Sequence, residues 1–159
     1  MSMNQSRIED PEVLDTQEIA TAIIPLVIPC RELPKTMDPA IQELIAILAK
    51  QGIDITGPMF SFHHRRPSDT FDFELGFPVA HAIKPEGRAM NGQLPAVKVV
   101  RSVYKGPYEG LAQAWPALQK WILENGHSGQ ERFWESYLNN PHEVKSPDDY
   151  LTELNWIIG

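Results

Sequence analysis

The sequence contains a single cysteine, Cys30, so no intrachain disulfide can form. No apolar run approaches the roughly 20 residues that a membrane helix needs, and the opening "MSMNQSRIEDPEVLD" lacks the apolar core of a signal peptide. Both absences point to a cytoplasmic protein. Positive charge is scarce: 14 Lys and Arg against 21 Asp and Glu leave a net charge of -7. A surface built to hold phosphate backbones is therefore not expected, and no direct nucleic-acid partner is. Metal-ligand spacing is missing as well. His63 and His64 are neighbours in a strand-like run and would point to opposite faces, while His81, His127 and His142 are scattered, so neither a metal nor a cofactor is expected. "GPYEGL" lacks the glycine pattern and the Lys-Ser/Thr pair of a phosphate loop.

What is present is ordinary globular material: 159 residues, 42% of them hydrophobic, enough for one domain with a real core. Residues 1–16 are polar and acidic and read as a flexible arm, too short for a helix-turn-helix; residues 17–159 read as one domain. "TAIIPLVIP" (21–29) is a buried-strand run. "MDPAIQELIAILAKQG" (37–52) is a helix, with Asp38 as cap, Pro39 at the first position, Gly52 at the end and a stripe of Ile41, Leu44, Ile45 and Leu48. "GPMFSFHH" (57–64) and "TFDFELGFPV" (70–79) alternate like strands around a solvated hairpin tip at Arg65 and Arg66. That order is β-α-β-β.

It then recurs: a strand in "LPAVKVVRSVY" (94–104), a helix in "GPYEGLAQAWPALQKWILENG" (106–126), and strands in "QERFWESYL" (130–138) and "DYLTELNWII" (149–158). Pro116 predicts a kink or a late start in the second helix. An offset of 74 residues sets Ala22 on Ala96, Gly52 on Gly126, Ser61 on Glu135 and His63 on Tyr137. The fold class is α+β: two β-α-β-β modules joined into one antiparallel sheet, both helices on one face and a ligand groove on the other.

Within "ERFWESYLNNP" (131–141), alternation puts Phe133, Glu135 and Tyr137 on one strand face and Trp134, Ser136 and Leu138 on the other. Glu is rarely buried, so the ordinary expectation is a carboxylate facing water. If Trp134 and Leu138 pack under the helices, Glu135 instead faces the groove, with Phe133 beside it. Asp72 and Glu74 share a strand face and are either a second acidic contribution or a solvated edge. Trp115 and Trp121 are expected in the core.

"KGPYEGL" and "WESYLNNP", in this order and spacing, with "GPMFSFHH", "FDFELGFPV" and the closing "LTELNWII", resemble the GyrI-like small-molecule-binding domain, an effector-binding domain fused to many bacterial transcription regulators. The resemblance covers residues 17–158. It implies a duplicated β-α-β-β fold whose groove takes aromatic, often cationic, drug-like molecules, with Glu135 and Tyr137 at its centre and Tyr108 in its wall. The chain departs from the family where Tyr104 stands in place of a common His, and where His63 stands in place of an aromatic residue. Three functions follow. One is a stand-alone binder that sequesters or senses such compounds through Glu135, Tyr137, Tyr108, Phe133, Tyr104 and His63. Another is a hydrolase of strained-ring genotoxic compounds, working through Glu135 and Tyr137. The third is a protein-binding module such as a DNA gyrase inhibitor.

Overall fold

A computed structural model of the chain describes residues 8–65, 69–139 and 145–158. Eight strands and two α-helices are seen among these residues: β1 (Glu12–Asp15), β2 (Ile19–Pro29), α1 (Leu33–Gln51), β3 (Phe60–His63), β4 (Thr70–Pro78), β5 (Met90–Leu94), β6 (Lys98–Lys105), α2 (Leu111–Glu124), β7 (Gly129–Tyr137) and β8 (Leu151–Ile158). The strand order is β1-β6-β8-β7 in one half of the structure and β3-β4-β2-β5 in the other, and each of these pairings is antiparallel. This is the expected α+β class. The chain divides into two compact units, Gln17–Ala96, and Val97–Gly159 together with Met1–Thr16.

In the unit Gln17–Ala96, β4 pairs with β3 on one side and β2 on the other, and β5 pairs with the outer side of β2. Strand alternation sends Ala22, Ile24, Leu26, Phe73, Leu75 and Phe77 to one face, where Ala40, Leu44 and Leu48 of α1 cover them. Helix α1 starts earlier than Asp38, and Pro39 lies inside it. The missing Pro39 N–H removes the usual helical partner of the Lys35 carbonyl, and Lys35 and Pro39 are both exposed, so water can serve that group. Gly52 ends the helix as expected, at φ 67.

The second unit repeats the plan. Strand β8 pairs with β7 and β6, and β1 pairs with the outer side of β6. Residues Glu12–Asp15, inside the stretch expected to be a flexible arm, are thus a strand. Helix α2 covers Val100, Phe133, Leu154 and Trp156 with Ala114, Leu118 and Ile122. It begins late, after a 3-10 turn at Tyr108–Gly110, and carries Pro116 inside. Ala112, whose carbonyl loses a partner there, is exposed, so the cost again falls on a hydrated turn.

Register shows how far the repeat goes. One ladder reads Ile24–Leu75–Ser61 and its counterpart Ser102–Leu154–Glu135; the next reads Leu26–Phe73–His63 and Tyr104–Thr152–Tyr137. The matches of Ser61 with Glu135 and His63 with Tyr137 hold, as do Ala40, Leu44 and Leu48 with Ala114, Leu118 and Ile122, all buried. The match of Ala22 with Ala96 does not hold. Ala22 has the ladder position of Val100, because the first strand of the second unit starts at Lys98.

Candidate functional site

The site is built on β7, β8, α2 and the turn before α2. Its first peculiarity is that Phe133, Trp134, Glu135 and Ser136 are all buried, so both faces of β7 are covered. Trp134 is not among the residues of the core beneath α2. Pairing with Leu154, and the membership of Phe133 and Trp156 in the core beneath α2, place Glu135 on the face that α2 covers. The expectation that this carboxylate looks away from the helices is therefore corrected. Two covered faces leave nothing in the apolar pattern to say which one meets the helix.

Glu135 is 8% exposed. The indole Nε1 of Trp115, on α2, donates to its Oε1 at 3.1 Å. Desolvation pushes the carboxyl above the usual range, and the hydrogen bonds from Trp115 and Tyr137 pull only part of the way back. Among the described residues no Lys, Arg or His forms an ion pair with Glu135. Trp115 does pack in the core as expected, tilted on Phe133 at 4.6 Å and edge-on to Trp156 at 5.4 Å between ring centres, but it also holds the carboxylate.

Above this floor stands a second set of rings. Tyr108 stacks on Tyr150 at 4.7 Å and meets Tyr137 edge-on at 5.8 Å. It is 38% exposed. Burial raises the pKa of its phenol first, followed by the charges of Tyr150 and Glu135, so the phenol and the carboxylate sense one another. Tyr150 lies within the strand expected over 149–158, where nothing in the sequence singles it out as a site residue, and in the structure it stands just before β8. Its one signal is alternation, which puts it on the face of Thr152 and Leu154.

"KGPYEGL" now has a physical account. Gly106 sits at φ 146, a conformation that side chains avoid, and its N–H donates to the carbonyl of Tyr150 at 2.9 Å. Pro107 fixes the next bend at φ -62, ψ 150. The carbonyl of Pro107 accepts from the Tyr104 hydroxyl at 2.7 Å and from Gly110 N–H at 3.0 Å. A Cβ on Gly110 would strike the Tyr104 hydroxyl, so only glycine fits there. Tyr104, 3% exposed, thus braces the turn that presents Tyr108.

Other predicted positions have their own settings. Phe133 is a floor residue, 4% exposed and stacked on Trp156 at 5.2 Å. His63 belongs to the unit Gln17–Ala96, stacked on Phe73 at 5.2 Å, and burial lowers its pKa to about 4. Glu74 bonds His64 at 3.0 Å and Asp72 lies 3.7 Å from Arg65, on the strand face away from α1. Arg66 and His142 lie outside the described residues.

The GyrI-like small-molecule-binding domain model matches residues 9–157. The chain belongs to that family. Among solved structures, this GyrI-like domain is similar to the EcmrR C-terminal domain, with a TM-score of 0.82 at 22% identity over 94% of this chain and 97% of that one. It also matches EcmrR in a complex with DNA, with a TM-score of 0.83 at 22% identity; there it covers 98% of its own length and 59% of the EcmrR chain, so it spans well under two thirds of that protein. A hydrolase from Listeria innocua matches with a TM-score of 0.69 at 13% identity over 94% and 92%. SAV2435 bound to tetraphenylphosphonium matches with a TM-score of 0.64 at 9% identity over 95% and 94%. These likenesses show the fold. No curated protein matches the chain. Among the described residues, no helix of the domain is long and apolar enough to cross a membrane.

Proposed function

We propose that this small-molecule-binding domain takes aromatic, monocationic organic compounds at Glu135. The observation that carries this reading is a buried carboxylate with no cationic partner among the described residues, held by the Trp115 indole and flanked by the rings of Tyr108 and Tyr137. Burying such a group unpaired is costly. A cation arriving there gains Coulomb energy at reduced screening and cation–π attraction from the rings, the latter worth roughly 0.5 to 2 kcal/mol. Flat rings accept many shapes, which suits broad specificity. The tetraphenylphosphonium seen on SAV2435 supports the charge class, and it supplies a probe.

Calorimetric titration of tetraphenylphosphonium and of neutral triphenylphosphine oxide into wild type and Glu135→Gln tests the reading. The cation should lose roughly 1 to 3 kcal/mol in the variant, as expected for a charge pair at the reduced screening of a protein site, and the neutral compound should lose little. Equal affinity of the cation for both proteins rejects the reading. Because burial raises the Glu135 pKa, the ionised form costs stability. That cost is absent below the unfolded pKa and is complete once pH has risen through the folded one. The variant should therefore melt at least as high as wild type at neutral pH, and cation affinity in wild type should rise with pH.

The buried Glu135 carboxyl, hydrogen-bonded by Tyr137, favours a second reading, in which the two residues position a water or stabilise charge during hydrolysis of a strained ring. Mass spectrometry of a bound strained-ring compound distinguishes the two. A binder returns its ligand unchanged, whereas a hydrolase returns it with one water added.

A further inference from the structure

Thr152, on β8, is 0% exposed, and its Oγ1 has no hydrogen-bond partner among the described residues. Its place in the ladder makes this notable. It lies directly between Tyr104 on β6 and Tyr137 on β7, one row from Glu135 and on the same face. Directly paired residues bring their Cβ atoms to about 5 Å, and diagonal neighbours remain within reach of long side chains. The polar groups around it are engaged: Tyr104 donates to Pro107, and Tyr137 to Glu135. A hydroxyl buried without a partner destabilises the fold where valine, of the same shape, would not. Plain packing therefore leaves the choice of threonine at this position unexplained.

We infer that the Thr152 hydroxyl is a second polar contact of the site, and that it selects cations bearing N–H donors, protonated aromatic amines, over fully substituted cations. This rests on the proposed role of Glu135 and narrows the ligand class. An ammonium offers several donors; Glu135 takes one and the Thr152 oxygen, which has acceptor capacity to spare, takes another. A quaternary ammonium satisfies the carboxylate by charge alone and leaves the hydroxyl as orphaned as it is in the free protein. The exposed Tyr108, which stacks on Tyr150 and touches Tyr137, is the ring whose displacement admits a guest to this depth.

The test uses the full chain and two probes, 1-pyrenylmethylammonium and its N,N,N-trimethyl counterpart, titrated into wild type, Thr152→Val, Thr152→Ser and Glu135→Gln. Wild type should prefer the N–H cation. Thr152→Val should weaken that probe about tenfold, the size of one hydrogen bond to a charged group, and leave the trimethyl probe unchanged. Thr152→Ser should keep the preference, and Thr152→Val should melt no lower than wild type without ligand. An unchanged ratio of the two affinities in Thr152→Val overturns the inference while leaving the role of Glu135 standing, provided Glu135→Gln weakens both probes. If wild type binds neither cation, both fail.

Discussion

Single residues in this protein carry opposite kinds of burial. Glu135 is an acid that would release its cost if protonated or paired, whereas His63 is a base kept neutral by the same desolvation, with a pKa lowered to about 4. For His63 the unfolded chain holds the proton more tightly than the folded one. Stability is thus complete above the ordinary histidine pKa, near 6.5, and falls as pH drops from there toward 4. The linkage amounts to roughly 3 kcal/mol when fully expressed. His63→Phe should keep the ring against Phe73 and remove this acid sensitivity, so that the wild-type loss in melting temperature between pH 7 and pH 4 shrinks in the variant. If both lose the same amount, the acid sensitivity arises elsewhere.

Among the elements, the turn before α2 is the most tightly specified. Gly110→Ala should destabilise the fold by roughly 1 to 3 kcal/mol, because the new methyl must push the Tyr104 hydroxyl off the Pro107 carbonyl. Urea denaturation measures this directly, and a midpoint equal to wild type would mean that the turn yields freely. Most elements were legible in the sequence because their signals agree: β2 is a continuous apolar run, β4 alternates, α1 ends at Gly52, and α2 carries its apolar stripe past Pro116. Strands β1 and β5 were not legible. "EVLD" and "MNGQL" are short, mostly exposed and poor in β-branched residues, and the ladders beside them rather than their own sequence make them strands. At the site, Glu135 and Tyr108 stood out from their motifs. The face that Glu135 occupies did not, since Trp134 is as buried as Phe133, and neither did the hydrogen bond from Trp115, a residue whose apolar stripe hides its one polar atom.

On the scale of the whole molecule, the first strand is built into the far end of the chain. β1 pairs with β6 from Glu12↔Arg101 to Asp15↔Lys98, and Thr16 exchanges two hydrogen bonds of 3.0 Å with Val97. A variant beginning at Gln17 should melt lower than the full chain, and its β6 amides should exchange with solvent faster; an unchanged melting temperature would show that β1 contributes nothing to stability. The leading strand of each repeat lies against the other repeat's sheet: β1 precedes β2 yet joins β6, and β5 precedes β6 yet joins β2. Two copies of a half-length chain trading their first strands would make these same ladders. On this arrangement a single repeat is an incomplete object with a bare strand edge, prone to pair with whatever backbone it meets, and the peptide link between the repeats makes the right partner permanently local.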